Sequence, residues 1–408
     1  MSSLRIGLAL IFMSETTIAQ TKPADTQPQS ELRSMLRIAW KKGTSLPQGV
    51  QDSAIGIIDD RLILVGGFCA GRDKDAVPGK PGKYPRGFLK KGWALNLKDP
   101  QASWVSLPDL PAIERQALAG IVVDEALYCW GGINYTAPFT YRDGYRLSKK
   151  RDEWVWETSL PELPAPAVWS GTCAIGSKIY LFGGADYDSE KFYTHTDRAG
   201  HRLRLGAKLL MLDTRDLSAG WRRRADCPGT PRFTPGMAVV DGKIYVFGGA
   251  GGDDNKLAPG GYSTVVDNWM YDPTVDVWTR LRDLPISSGN FFTVGEIAYR
   301  GRWIILVGGY QYPRIENPDG TVRPPYGKPT RHYPDKAYFS DVFVYDVQTG
   351  LFGTADPLPL NNNTPMTIVR SDRIYLAGGE TGGAVIDGEA FGHHPDLYLV
   401  GTISLLDP

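Results

Sequence analysis

Ile179-Tyr-Leu-Phe-Gly-Gly184 is an apolar run closed by two glycines, and the chain keeps returning to it. The other copies are LILVGG at 62–67, LYCWGG at 127–132, IYVFGG at 244–249, IILVGG at 304–309 and IYLAGG at 374–379. Their final glycines lie 52 to 70 residues apart, which is a repeating unit of about fifty residues carrying insertions. Ahead of each run is a stretch of small and apolar residues: SAIGIID from Ser53, ALAGIVVD from Ala117, SGTCAIG from Ser170, TPGMAVVDG from Thr234, FTVGEIAY from Phe292 and TPMTIVR from Thr364. Behind each glycine pair comes a variable loop and a further strand, such as WALNL, LLMLD, NWMYD, VFVYD or LYLVG. A fourth strand carries an aromatic residue before a proline-containing turn: Trp104, Trp156, Trp221 and Trp278, with Phe352 replacing the tryptophan in the fifth repeat. Four short strands per unit predict an all-β fold assembled from four-stranded sheets.

Six such units predict a six-bladed β-propeller, in which small side chains suit the crowded centre where the innermost strands converge. The last repeat stops after three strands, while an orphan fourth-strand motif, IAWKKGTSLP with Trp40, stands near the N-terminus. The two ends are therefore expected to pair, closing the last blade and removing open sheet edges. The glycine pairs have a backbone explanation: positive φ and close approach at a strand end. Even GGAGG at 248–252 precedes a strand and not a helix N-terminus, so it is no phosphate loop. The period and the glycine pairs together resemble the kelch repeat, and the predicted propeller spans 35–405.

Charge is balanced, 45 basic against 45 acidic residues, which argues against nucleic acid or an anionic membrane as partner. Arg5, the apolar run Ile6–Met13 and Thr17-Ile18-Ala19 have the layout of a cleavable export signal, expected over 1–19. Residues 20–34, including TKPADTQPQS, read as a flexible linker, and the expected location is periplasmic or secreted. No later segment reads as a transmembrane helix, so membrane insertion is not expected. Cys69, Cys129, Cys173 and Cys227 show no CxxC spacing, and Cys129 and Cys173 fall in strand-like runs as small core residues. The five histidines, His195, His201, His332, His393 and His394, lack the spacing of a metal site, so no metal is expected.

In a propeller, loops between blades and between second and third strands open on one face around the central channel, where a site is expected. The loops near 68–92, 185–207 and 310–340 are long and rich in Tyr, Arg and Pro. Arg115 and Arg232 each precede an innermost strand, and either can grip a substrate carboxylate at the mouth or pair with a structural carboxylate. Glu380 follows the last glycine pair and can act as acid or base there, or cap neighbouring amides. Tyr187 and Tyr310 can stack on a sugar or fill a loop core, and Arg331 is a further candidate for binding substrate.

GGETGG at 378–383, Arg115-Gln116-Ala117, WALNL followed by WVSLPDLP, and KAYFSDVFVYD resemble the kelch-type sialic acid mutarotases, also called N-acetylneuraminate epimerases. The resemblance covers nearly the whole propeller. It implies an exported, cofactor-independent isomerase that exchanges the anomers of sialic acid or a related acidic sugar through ring opening. Such chemistry needs a proton acceptor, a proton donor and a cation for the carboxylate. The sequence departs from the family in the fourth repeat, where Ala250 takes the place of the catalytic Glu and GGDDNKLAPGGYSTVVD supplies no Arg. Asn363 and Thr364 stand where the family has an arginine before the last inner strand. Three readings follow: Asp253, Asp254 or Glu380 has taken over; the enzyme acts on another sugar; or the chain is a non-catalytic sugar-binding or protein-interaction module using its long top-face loops.

Overall fold

The structure is a computed structural model, and it describes residues 32–69, 84–186, 204–252, 262–289, 295–315, 328–329, 336–382, 385–386, 389–390 and 394–406. The proposed export signal lies outside these residues, as does all of the proposed linker except 32–34. Among the described residues no helix is long and apolar enough to cross a membrane.

Each repeat folds into one four-stranded antiparallel sheet, and six such sheets are present among the described residues. Blade one is built from Ala54–Ile58, Arg61–Val65, Gly92–Asn96 and Val105–Leu107. Its first two strands pair in the register Ala54 to Val65 through Ile58 to Arg61, joined by a tight turn at Asp59-Asp60. Blades two to five repeat this order from the inner strands Ala119–Val123, Gly171–Ile175, Gly236–Val240 and Ala298–Tyr299. In blade six the inner strands Met366–Arg370 and Arg373–Ala377 are followed by Tyr398–Leu405, and the fourth strand is Leu36–Lys42. That last pair runs from Leu36 opposite Leu405 to Lys42 opposite Leu399, the closure expected from the orphan Trp40 motif. The innermost strands touch their neighbours in a closed ring, with Ala54–Ile58 against both Ala119–Val123 and Met366–Arg370.

Two sets of contacts join the blades, and both explain residues that recur in the sequence. On the inside, the second glycine of every pair donates its N–H to the segment entering the next blade. The bonds are Gly67 to Arg115 O (2.9 Å), Gly132 to Ala167 O (2.9 Å), Gly184 to Arg232 O (2.9 Å), Gly249 to Ser288 O (2.8 Å), Gly309 to Asn362 O (2.8 Å) and Gly379 to Val50 O (2.9 Å). Gly379 makes this turn at φ 109°, and a Cβ there would lie 2.0 Å from Asn362 Oδ1, so only glycine fits. On the outside, the fourth-strand indole reaches back to a carbonyl of the preceding blade: Trp104 to Thr44 O, Trp156 to Pro108 O, Trp221 to Pro161 O, Trp278 to Ala225 O and Trp40 to Asp356 O. Phe352 has no N–H to offer and instead packs, fully buried, on Tyr345 and Phe247.

Between these contacts the blades stack through apolar faces, for example Ala54, Ile63, Val65, Leu127, Cys129 and Leu147 between blades one and two. Cys129 and Cys173 are fully buried in strands, and burial pushes the Cys129 thiol up to about 12, which keeps it an inert core residue.

Candidate functional site

The channel mouth is shaped by the residue just ahead of each inner strand. Asp52, Ala117, Trp169 and Thr234 occupy equivalent places in blades one to four, and all have φ between 53° and 59°. This left-handed turn aims each amide at the previous blade. Ala117 N–H bonds Asp52 O (2.8 Å), Trp169 N–H bonds Ala117 O (3.4 Å) and Thr234 N–H bonds Trp169 O (2.7 Å). The backbone hydrogen bonds at the mouth are thereby spent on the protein, and the side chains of this ring decide what it can hold.

Asp52 is the one ionisable member of that set. Its residue is 2% exposed, its Oδ2 accepts a hydrogen bond from Trp169 Nε1 (2.9 Å), and its Oδ1 has no partner among the described residues. Burial pushes the carboxyl up to about 7; the Trp169 bond opposes the rise and the negative charge of Glu380 adds to it. Glu380 is also buried, and its carboxylate accepts from Asn363 Nδ2 while its backbone N–H donates to Asn362 Oδ1 (3.0 Å). Asn363 N–H in turn bonds Glu380 O (2.8 Å), so the last glycine pair and the entry to the sixth inner strand hold this acid in place. Buried Gln116 adds a further side-chain oxygen, Oε1, without a partner among the described residues, and Thr364 Oγ1 lies 3.5 Å from Gln51 Oε1. The mouth thus combines two buried carboxyl groups, Asp52 and Glu380, with two buried side-chain oxygens, Asp52 Oδ1 and Gln116 Oε1, that have no hydrogen-bond partner among the described residues.

The two arginines expected at the mouth are placed elsewhere in the design. Arg115 and Arg232 are 1% and 0% exposed and stand at matching points of blades two and four. Each bonds the carbonyl of the first glycine of its own blade's pair, Arg115 Nη1 to Gly131 O (3.1 Å) and Arg232 Nη1 to Gly248 O (2.9 Å). Asn362 Nδ2 does the same for Gly378 O in blade six (2.9 Å), and Ser53 Oγ for Gly66 O in blade one (2.8 Å). Each arginine Nε donates to the carbonyl two residues earlier, Ile113 O (3.2 Å) and Thr230 O (2.7 Å), and each guanidinium also pairs with a carboxylate. Arg115 grips Asp143 with both Nη atoms, at 2.6 and 3.2 Å, and stacks on Tyr141; Arg232 pairs with Asp267. Burial alone would raise Asp267, but Arg232 holds its carboxyl below the usual range. Of the two readings open for these arginines, the structural one describes the contacts seen: each buried guanidinium is committed to a carboxylate and to a strand-end carbonyl of its own blade.

Tyr310 is 2% exposed and packs with Ala117, Ile133, Val168, Phe233, Tyr312 and Tyr338, with Lys336 Nζ 4.8 Å from its ring centre. This matches the loop-core reading. Tyr187, Arg331, Asp253 and Asp254 lie outside the described residues. No group of three or more His, Cys, Asp or Glu residues able to hold a metal ion occurs among the described residues. Asp52 was missed in the sequence; the signal was an acid in GVQDSAIGIID at the place where the other repeats have Ala117, Trp169 and Thr234.

Comparison with known proteins places this geometry in context. The N-acetylneuraminate epimerase of Haemophilus influenzae is 23% identical over 319 residues, covering 72% of this chain and 80% of that protein. A Kelch domain-containing protein of Vibrio cholerae is 29% identical over 159 residues, 39% of this chain and 38% of that protein. Among solved structures, that of YjhT aligns with a TM-score of 0.59 at 14% identity, covering 85% of this chain and 94% of that one, which speaks to the fold alone. The chain is thus an all-β kelch-repeat protein similar to the N-acetylneuraminate epimerases. Residues 118–379, well over half of the sequence, match the family model described as the KLHDC2/KLHL20/DRC7 Kelch-repeats domain, and the chain belongs to that family.

Proposed function

We propose that this protein binds a free sugar at the channel mouth and exchanges its anomers, with Asp52 and Glu380 as the acid–base pair. The observation that carries the reading is the Asp52 carboxyl: buried, with one oxygen unpartnered, beside a second acid, and titrating near pH 7. With one group of the pair ionised and the other protonated, the carboxylate takes the proton of the anomeric hydroxyl while the acid protonates the ring oxygen. The bond between the anomeric carbon and the ring oxygen breaks, leaving an open-chain carbonyl. Rotation about the adjacent carbon–carbon bond and the reverse proton transfers close the opposite anomer, and both carboxyl groups return to their starting states.

The names of the relatives make sialic acid the first sugar to test. With Arg115 and Arg232 committed to Asp143 and Asp267, the carboxylate of an acidic sugar needs another cation, for which the sequence offers Arg331. Export to the periplasm or the medium belongs to the same proposal and rests on the apolar run Ile6–Met13. The deciding experiment is NMR anomer exchange on a panel of free sugars that includes N-acetylneuraminate. Acceleration by the wild type that is lost in Asp52→Asn and in Glu380→Gln supports the proposal. Absence of acceleration with every sugar leaves a non-catalytic binding or protein-interaction propeller.

A further inference from the structure

Above the first glycine pair the chain builds a small ladder beside Asp52. Gln51 and Phe68 exchange both backbone hydrogen bonds, each at 3.0 Å, and Phe68 pairs in turn with Phe88. Residues directly opposite one another in such a ladder point to the same face, and so does a residue two positions along the strand. Gln51, Phe68, Phe88 and Arg86 therefore share one face, and the Arg86 guanidinium carbon lies 5.2 Å from the centre of the Phe68 ring. Neighbouring strands are about 5 Å apart, so this cation stands over the middle strand, one spacing from Gln51. Gln51 adjoins Asp52 in the chain, and its Oε1 lies 3.5 Å from Thr364 Oγ1, next to the Asn363 that donates to Glu380. The shared face thus borders the two acids of the mouth.

Arg86 differs from the arginines already placed. Arg115 and Arg232 are buried and paired, whereas Arg86 is exposed and makes no hydrogen bond or ion pair with a carboxylate among the described residues. Its support is aromatic. Phe68 is 6% exposed and fixed by Phe88 at 4.9 Å and by His394 edge-on at 5.6 Å, with Tyr135 edge-on to Phe88 at 4.7 Å. A guanidinium resting on a ring keeps its in-plane N–H donors free, and two of them match the oxygens of a carboxylate.

We propose that Arg86 selects a charged substrate: its guanidinium, resting on Phe68, takes the carboxylate of a sugar acid whose anomeric centre lies at Asp52 and Glu380. This role rests on the sugar reading above and adds to it the residue that recognises the acid. The full chain is titrated by calorimetry at pH 7 with two pairs of probes, N-acetylneuraminate against its methyl ester and galacturonate against galactose. The wild type is expected to bind an acid about tenfold more tightly than its neutral partner, the reach of a hydrogen bond to a charged group. Arg86→Gln removes that difference by weakening the acid, and Arg86→Lys restores part of it. No binding of either acid, equal binding of acid and neutral partner, or a difference that survives in Arg86→Gln overturns the proposal. Anomer exchange followed by NMR on the same samples separates the two readings. Binding that depends on Arg86 without exchange sinks the catalytic reading alone, whereas exchange of an acid with an unchanged KM in Arg86→Gln sinks the role of Arg86 alone.

Discussion

Asp52 and Glu296 are two acids on one channel, both moved by burial to about 7, and their surroundings differ in every other respect. Asp52 sits in a left-handed turn, bonded to Trp169 and next to Glu380, in a mouth where Gln116 and Thr364 add polar groups. Glu296 lies at the turn end of the inner strands, where Arg370 lowers its pKa and Glu125 raises it. A shifted pKa therefore does not by itself identify a reacting acid. What separates the two ends is hydrogen bonding: Asp52 accepts from Trp169 and Glu380 from Asn363, which hold both carboxyl groups in place, whereas the Glu296 side chain makes no hydrogen bond among the described residues.

The sharpest way to break this comparison is activity. Asp52→Asn is expected to lower anomer exchange by about 10²- to 10⁴-fold, the usual reach of general acid–base catalysis, while Glu296→Gln leaves it unchanged. Equal losses in both variants would mean that the channel acts as a whole. Next in size, Arg232→Met leaves the buried Asp267 carboxylate without its cation and is expected to cost about 3–5 kcal/mol in urea unfolding. A loss below 1 kcal/mol would return Arg232 to the list of ligand-binding residues.

A third measurement is stability against pH. Asp52 in the folded state keeps its proton to about pH 7, whereas the unfolded chain loses it near pH 4. The folded state thus binds more protons between those values, and its stability falls as pH rises through that window. Asparagine tolerates the left-handed φ of 55° and carries no charge, so Asp52→Asn is expected to stabilise the protein above pH 7, by at most about 4 kcal/mol, and to match the wild type below pH 4. Glu296→Gln follows the same sign. The smallest expected effect is on the outer rim, where Trp278→Phe deletes the 2.8 Å bond to Ala225 O and costs about 1 kcal/mol, with no change in exchange rate.

Much of the architecture was legible because each repeat states it again. The glycine pairs, the small inner strands and the fourth-strand tryptophans are local answers to one backbone geometry, and six copies make the pattern hard to misread. The pairing of Trp40's strand with Tyr398–Leu405 also followed from counting strands. The site was less legible. Glu380 stood out through its place after the last glycine pair, whereas Asp52 was passed over, and Arg115 and Arg232 were left between a substrate carboxylate and a structural one because arginine before an inner strand looks the same whichever way it points.

The all-β repeat and its strand order could be read from the residues alone, since period, turn residues and apolar alternation are properties of neighbouring positions. Which charges meet depends on how the blades come together. Asp143 is 28 residues from Arg115, Asp267 is 35 from Arg232, and Asp52 and Glu380 come from opposite ends of the chain. Whether a buried charge is neutralised or left to act depends on partners that only ring closure brings into contact, and on a burial that no single repeat supplies.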